Sequence, residues 1–368
     1  MHTCWKIERM PSLPIDQIRD KAEAGQVESQ FLLSQICLQG RDFEEMLYWL
    51  QKASDGGLPD AHAALAHCHE KGTGVALDFD AALRLYDQAI AGGSVPATYS
   101  KAELLYKSQD GPNRQDEIRQ LLRSASLAGF APARRTAAYL AAQSGQTGLE
   151  LPEAVALYPA RRETKRVSYN AEPEIALFEN VLTSDDCAYL VELSRPYLTH
   201  SDVIDPDSQR DGMTSDVRTS SGTYIPFELV DIIGRYIELK IVNAVAEDLQ
   251  NSEPMSILHY AAGEYYKPHF DYFDPKLPVT EGLLQDGGQR KASAVTYLAV
   301  PNAGGGTSFP ELDITVPPEL GATLWFRNCN ANGTVDPRSL HAGDTVAQGE
   351  KWVVTKWFRE RPTHYLQL

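Results

Sequence analysis

The sequence predicts a multidomain chain: an all-α helical-repeat solenoid followed by a β-rich domain with supporting helices. Three observations carry that expectation. A glycine-centred pattern recurs at intervals of 32, 36 and 36 residues within the first 145 positions. Past residue 171 the helical period gives way to short apolar stretches bounded by Gly, Pro and Asn. Hydrophobic residues make up 43% of the 368 and charged residues 23%, values of a globular protein and not of a disordered or collagen-like chain.

The repeats come first along the chain. Ala24-Gly25-Gln26-Val27, Gly56-Gly57-Leu58-Pro59, Gly92-Gly93-Ser94-Val95 and Ala128-Gly129-Phe130-Ala131 align about Gly25, Gly57, Gly93 and Gly129. The first interval is short because the loop Gly40–Phe43 is four residues shorter than Gly72–Phe79. Each unit reads as two helices. Ala61, Ala64, Leu65 and Cys68 share one helical face, and Ala82, Leu85, Tyr86, Ala89 and Ile90 share another. The glycine ends the second helix, where a left-handed residue is needed. A single hairpin cannot bury its own apolar face, so neighbours stack into a solenoid. This pattern resembles the Sel-one-like family of tetratricopeptide-type repeats over about residues 17–142, inside a domain set at 1–145. The resemblance implies that the array binds a partner protein; a stabilising or oligomerising appendage is the plainer alternative. His62, His67, Cys68 and His69 cluster here, and His62 and His69 share a face. His67 and Cys68 point elsewhere and no second ligand pair stands at zinc spacing, so these are packed or solvated helix residues.

Residues 146–170 read as a linker, with Gly148, Pro152, Pro159, the basic run Arg161, Arg162, Lys165, Arg166 and a short helix near 152–158. The second domain is set at 171–368. A helix over Thr183–Tyr197 opens with a capping box, Thr183 to Asp186, and a longer apolar helix is expected over Pro226–Leu249. Strands follow at Met255–Tyr260, Ala292–Val300, Ala322–Phe326 and Lys351–Phe358. Helices buttressing a β-sandwich or jelly roll fit this order.

The chemistry centres on Tyr265-Tyr266-Lys267-Pro268-His269-Phe270-Asp271. Residues two apart on a strand face one side, so His269 and Asp271 can reach one metal. His341 offers a third donor. Two imidazoles and one carboxylate leave open positions on an octahedral ion, the facial triad of non-haem Fe(II) oxygenases. Asp274 falls on the opposite face, and His259 points away from Tyr260. Asp344 stands near enough in sequence to orient His341; a turn aspartate is the alternative. Lys351 follows His341 by ten residues, and an ammonium inside a barrel needs an anion. A surface lysine at a strand start is the other reading.

Over about 190 residues, 171–361, the chain resembles the prolyl 4-hydroxylase-type family of Fe(II)/2-oxoglutarate dioxygenases. The matching pieces run in family order: Asp216-Val217-Arg218-Thr219-Ser220-Ser221-Gly222, Ile257-Leu258-His259-Tyr260, Gly263 through Asp271, Arg290 through Leu298, Gly305-Gly306-Thr307-Ser308-Phe309-Pro310, then Ser339-Leu340-His341-Ala342-Gly343 and Gly349-Glu350-Lys351-Trp352. The resemblance implies a double-stranded β-helix (jelly roll). It implies His269, Asp271 and His341 as iron ligands and, with Lys351, as the catalytic set. Lys351, Tyr260 and Thr307 match cosubstrate-binding positions; Tyr266, Glu253 and Arg290 match positions lining a substrate groove. The implied cofactors are Fe(II), 2-oxoglutarate, O2 and L-ascorbate as reductant. The implied reaction is 4-hydroxylation of a prolyl residue in a protein or peptide, releasing succinate and CO2. Hydroxylation of a free amino acid or small molecule, and an adaptor whose oxygenase domain senses oxygen or 2-oxoglutarate, are the alternatives. The chain departs from the family at Gly304–Thr307, at Asp344-Thr345 and at Ser293, where Thr is usual.

The net charge is −16, split −4 over residues 1–150 (15 basic, 19 acidic) and −12 over the rest (19 basic, 31 acidic). Such acidity repels phosphate backbones, so nucleic acid is not an expected partner. Apolar runs fall far short of a membrane span, and the first residues lack a secretory apolar core. Five dispersed cysteines, with no Cys-x-x-Cys, read as reduced thiols in a cytoplasmic protein.

Overall fold

The computed structural model describes residues 13–146, 151–153, 155–161, 163–200, 218–226 and 230–363. Cys4, Gly148, Arg162, Asp216, Val217 and part of the helix expected from Pro226 lie outside these. The chain divides into two compact units, parted in sequence between Leu157 and Tyr158.

The first unit holds eight described helices: α1 Ile15–Glu23, α2 Val27–Gln39, α3 Phe43–Asp55, α4 Pro59–Lys71, α5 Phe79–Ala91, α6 Val95–Lys107, α7 Gln115–Leu127 and α8 Ala131–Gln143. The repeat signal lies in how they end. Gly25, Gly57, Gly93 and Gly129 all take φ between 81° and 90°. At Gly57 the glycine N–H donates to Ser54 O (2.8 Å) and the next N–H, Leu58, reaches back to Ala53 O (3.3 Å). That pair of bonds satisfies the last carbonyls of α3 and turns the chain into α4, where Pro59 sets the first helical residue. The glycine thus stands one residue past the cap of each helix, not at the cap itself. The short first interval is visible as a three-residue connection between α2 and α3 against seven between α4 and α5.

α4 buries two faces where one was expected. Ala61, Leu65 and Cys68 join a core with α1, α2 and α3, while Ala63 and Ala66 join a second core with α5 and α6. This double burial is what stacks one repeat on the next. His62 Nδ1 lies 2.8 Å from Ser54 Oγ, and His67 faces Glu70 at 3.9 Å, so the histidines are tied separately.

The expected linker is different in the structure. No helix forms over its described residues near 152–158. Leu151, Val155 and Leu157 are buried, Tyr106 donates to Leu157 O (2.7 Å) and Arg119 to Val155 O (2.7 Å). The apolar residues of the segment make it part of the first unit's packing. The sheet of the second unit then begins at Arg166, five residues before the expected boundary.

In the second unit β1 Arg166–Ala171 and β2 Glu174–Phe178 lead to α9 Ser184–Ser194. The capping box predicted there is present: Thr183 Oγ1 accepts from Asp186 N–H and Asp186 accepts from Thr183 N–H. Then come β3 Thr199–His200, β4 Ser221–Ile225, α10 Ile232–Ala244, β5 Met255–Tyr260, β6 Tyr266–His269, α11 Thr280–Gln285 and β7 Arg290–Ala299. β8 Ala303–Gly304, β9 Thr307–Phe309, β10 Ile314–Val316, β11 Thr323–Arg327, β12 His341–Gly343, β13 Val346–Gln348 and β14 Lys351–Arg359 complete it. α10 is shorter than the helix expected over Pro226–Leu249, and Ala246, at φ 57°, terminates it.

The strands form an eight-stranded sheet, order β1-β2-β11-β7-β14-β5-β4-β3, a four-stranded sheet, β10-β9-β12-β6, and a small pair β13-β8; every pairing is antiparallel. One core joins the two larger sheets, with Leu258, Tyr260, Tyr297 and Phe326 from the larger and Phe309 and Val316 from the smaller. All nine residues of β14 are buried, because this central strand is covered on both faces. The outer side includes a buried ion pair, Lys356 Nζ to Glu238 on α10 at 2.6 Å.

Candidate active site

β6 is the edge of the four-stranded sheet, where Pro268 costs no ladder bond. It ends at His269, which pairs directly with His341 at the start of β12. The two rings lie 4.3 Å apart between centroids. Asp271 stands just past the strand rather than on it. Its loop is tied down by Gln289, which donates to Phe273 O and accepts from Phe273 N–H, both at 2.8 Å, and by Arg290 Nη1 to Asp271 O at 3.3 Å. The ligand atoms of His269, Asp271 and His341 all lie within 4.8 Å of one another. Among the described residues they form the one such cluster of His, Cys, Asp and Glu.

Both imidazoles are aimed the same way. His269 Nδ1 bonds Lys267 O at 2.9 Å and His341 Nδ1 bonds Ser339 O at 3.0 Å. A carbonyl can only accept, so Nδ1 carries the proton and Nε2 offers its lone pair. Asp271 sits between them, Oδ1 3.7 Å from His269 Nε2 and Oδ2 3.6 Å from His341 Nε2. Burial, helped by His341, lowers the pKa of His269 and keeps it neutral. Burial opposes the charge on Asp271, but His341, His269, Ser293 and Arg290 together hold its carboxyl below the usual range. Two imidazoles offering Nε2 and one carboxylate suit a divalent ion such as Fe(II) and leave positions for other ligands.

Lys351 opens β14 and pairs with Tyr260. It is 2% exposed, its Nζ lies 4.5 Å from the Tyr260 ring centre, and among the described residues it makes no ion pair. Burial pushes its ammonium down to about 8, with Asp344 opposing. Gly343 lies beside it: a Cβ there would stand 3.5 Å from Nζ. Gly343 also pairs with Thr307, and His341 lies two residues before it on β12. Gly343, beside the ammonium, thus stands about 7 Å along the strand from His341, a span that a five-carbon diacid covers. Thr307 Oγ1 is 2.9 Å from Tyr297 Oη, and hydrogen bonds from Ser220 and Arg218 act on the buried Tyr260 phenol.

Tyr266 stacks on His269, centroids 3.5 Å apart, and the Arg218 guanidinium lies 5.0 Å from the same ring's centre. Glu253 and Arg290, expected along a groove, grip each other through two bonds of 2.7 Å, and Arg359 joins Glu253 at 2.9 Å. Unpaired burial of such charges would be costly, so the pair closes on itself and braces the Asp271 loop. Asp344 does not orient His341; it accepts from Ser308 Oγ at 2.7 Å, and the backbone carbonyl of Ser339 takes that part. His259 faces outward to Glu350 at 2.9 Å, its ring tilted against Trp352 with centroids 4.4 Å apart. Sequence reasoning missed Ser293, which donates to Asp271 Oδ2 at 2.6 Å, and Asn328, which bonds Ser293 at 2.9 Å. A signal existed: Ser293, Val295 and Tyr297 share one face of β7, and Leu324, Phe326 and Asn328 follow the same alternation. A polar residue at an inward position asks for a partner.

Comparison with known proteins gives the family. The sequence model of the 2OG-Fe(II) oxygenase superfamily matches residues 255–359, and that of the Sel1 repeat matches 27–58 and 59–94. "Probable prolyl 4-hydroxylase 10" of Arabidopsis thaliana is 35% identical over 209 residues, 51% of this chain and 69% of the relative. Prolyl 4-hydroxylase 1 of the same plant is 35% identical over 205 residues, 52% of this chain and 70% of the relative. A solved viral collagen prolyl hydroxylase from Paramecium Bursaria Chlorella virus-1, as its 2OG complex, is 25% identical with a TM-score of 0.38 and covers 50% of this chain and 95% of its own. On relatives this similar over more than two thirds of their length, the chain belongs to the prolyl 4-hydroxylase family of Fe(II)- and 2-oxoglutarate-dependent dioxygenases.

Proposed function

We propose that this protein hydroxylates a prolyl residue of a protein substrate at the 4-position, consuming 2-oxoglutarate and O2 and releasing succinate and CO2. The observation that carries the reading is the buried Lys351, in no ion pair among the described residues, with its Nζ beside Gly343, two residues along β12 from His341 of the metal-ligand cluster. A desolvated ammonium without a counter-charge is poised for an anionic ligand. The two-sheet unit is read as the double-stranded β-helix.

His269, Asp271 and His341 would hold Fe(II), which when bound supplies the O2 chemistry with 2-oxoglutarate as the electron source. Lys351 would pair with the far carboxylate of 2-oxoglutarate, and Tyr260 and Thr307 would hydrogen-bond to it. Tyr297, within 2.9 Å of Thr307 Oγ1, holds that hydroxyl in place. Tyr266, stacked on His269, shields one side of the cluster from water and faces the approaching substrate. Ascorbate serves as reductant, as the resemblance implies. The helical repeats recruit the protein substrate, and a cytoplasmic setting is supported by Cys37, Cys68, Cys187 and Cys329, all free thiols.

Incubating a cell lysate with the full chain, Fe(II), 2-oxoglutarate and ascorbate, then sequencing peptides by mass spectrometry, tests this. Gain of one oxygen on proline, lost without 2-oxoglutarate, is expected. Oxygen gained only by free amino acids or small molecules would replace the protein substrate. Succinate formation with no oxidised product of any kind would favour a sensing domain.

A further inference from the structure

Resting on the metal reading above, a second question concerns how Asp271 binds. A carboxylate that closes on a metal with both oxygens takes a position that cosubstrate and O2 need. The two oxygens of Asp271 are not equivalent. Among the described residues Oδ1 accepts no hydrogen bond, whereas Oδ2 accepts from Ser293 Oγ at 2.6 Å.

The direction of the bonds is forced. Asp271 is ionised and can only accept, so the single hydroxyl proton of Ser293 goes to Oδ2. Asn328 lies 2.9 Å from Ser293 Oγ and must therefore present its amide N–H, not its oxygen. The remaining Asn328 Oδ1 is buried and has no partner. A flipped amide would set Oδ1 against Ser293 Oγ in competition with Asp271 for the one hydroxyl proton, and would leave the amide N–H groups in the partnerless position instead. Both residues are 0% exposed and rigidly held. Ser293 lies on β7 between Phe326 of β11 and Trp357 of β14, and Asn328 bonds Lys291 O (2.9 Å) and Asp336 N–H (2.8 Å) through its backbone.

We infer that Ser293 and Asn328 are positioning residues: a two-bond relay ties Oδ2 of Asp271 to the protein and leaves Oδ1 as the one oxygen offered to the metal. The relay keeps the carboxylate from closing on the ion with both oxygens and so preserves the positions used by cosubstrate and O2.

Co(II) added to the metal-free full chain tests this, read by the visible absorption of the bound ion. Ser293→Ala should weaken Co(II) binding by about 10- to 100-fold and alter the Co(II) spectrum. Ser293→Thr, which restores the hydroxyl, should return both to wild type. Asn328→Leu, of similar volume, should shift both in the same direction by a smaller factor, and it carries the test should Ser293→Ala not fold. A wild-type constant and spectrum in the folded Ser293→Ala or Asn328→Leu protein would overturn the relay, as would a folded Ser293→Thr protein that behaves like the alanine variant. Asp271→Ala separates the two levels. If it loses Co(II) while Ser293→Ala does not, only the relay fails; if it binds Co(II) as wild type does, the metal reading fails.

Discussion

Replacing Lys351 with alanine isolates the cosubstrate end of the site from the metal end. The lysine is 2% exposed, its Nζ rests against Tyr260 at 4.5 Å, and the nearby carboxylate of Asp344 is committed to Ser308. A diacid bound here would leave its far carboxylate buried and unpaired once the ammonium is gone. Such a loss costs about 3–5 kcal/mol. At about 1.4 kcal/mol per decade this weakens 2-oxoglutarate by roughly two to three and a half orders of magnitude. Arg290 cannot substitute, since Glu253 holds it; Arg218, which bonds the Tyr260 phenol, is the cation that would limit the damage. Lys351→Arg should recover little. A planar, wider guanidinium replaces a compact ammonium in a buried position, and the two are not interchangeable there. The assay is succinate formation against 2-oxoglutarate concentration, with Co(II) affinity measured in parallel. A near wild-type apparent KM in Lys351→Ala would refute the assignment; a parallel loss of Co(II) would show that the lysine supports the metal instead.

The Lys351 ammonium, lowered by burial to about 8, loses its charge in the free protein as pH rises through that value. 2-Oxoglutarate affinity should then fall above about pH 8 by up to about tenfold per unit, while the ligand-free fold gains stability between there and the ordinary lysine range, because the unfolded chain binds the extra proton; isothermal titration and thermal melts at matched pH check both signs. A fragment beginning at Tyr158 should keep the whole sheet and turn over 2-oxoglutarate slowly, whereas one beginning at residue 171 loses nearly all of β1 and should melt at a lower temperature. Gly57→Ala meets nothing within 4 Å but must hold φ near 81°, so it should destabilise by about 1–2 kcal/mol through backbone conformation alone. Gly321→Ala, whose Cβ would fall 2.1 Å from Leu182 O, should cost more in a denaturant melt.

Much of this is legible in the amino-acid sequence, for identifiable reasons. Gly57 and its counterparts announce a helix end because the positive φ there excludes most other residues. Strand β5 is legible to the residue because Met255–Tyr260, buried throughout except at half-buried His259, is a mostly apolar run between turn signals. The His269, Asp271 and His341 cluster was legible from spacing plus family order, although Asp271 reaches it from a loop and not from the strand. What stayed hidden was long-range. Glu253 is 37 residues from Arg290 and 106 from Arg359, and no local pattern says that the three close into an ion cluster. Asn328 meets Ser293 across 35 residues through the register of β11 on β7, which the sequence does not print. The segment Leu151–Leu157 looked like a linker by its prolines, yet its three apolar side chains find a core.

The central claim is that one site holds a ferrous ion on His269, Asp271 and His341 and 2-oxoglutarate on Lys351. Titrating the full chain with Fe(II) and 2-oxoglutarate without oxygen tests it most directly, because chelation of ferrous iron by a 2-oxo acid produces a visible charge-transfer band that neither partner shows alone. The account predicts one band per chain in the wild type, none in Asp271→Ala, and in Lys351→Ala a band that appears only at far higher 2-oxoglutarate. No band in the wild type, or a band of full strength in Asp271→Ala, would contradict it.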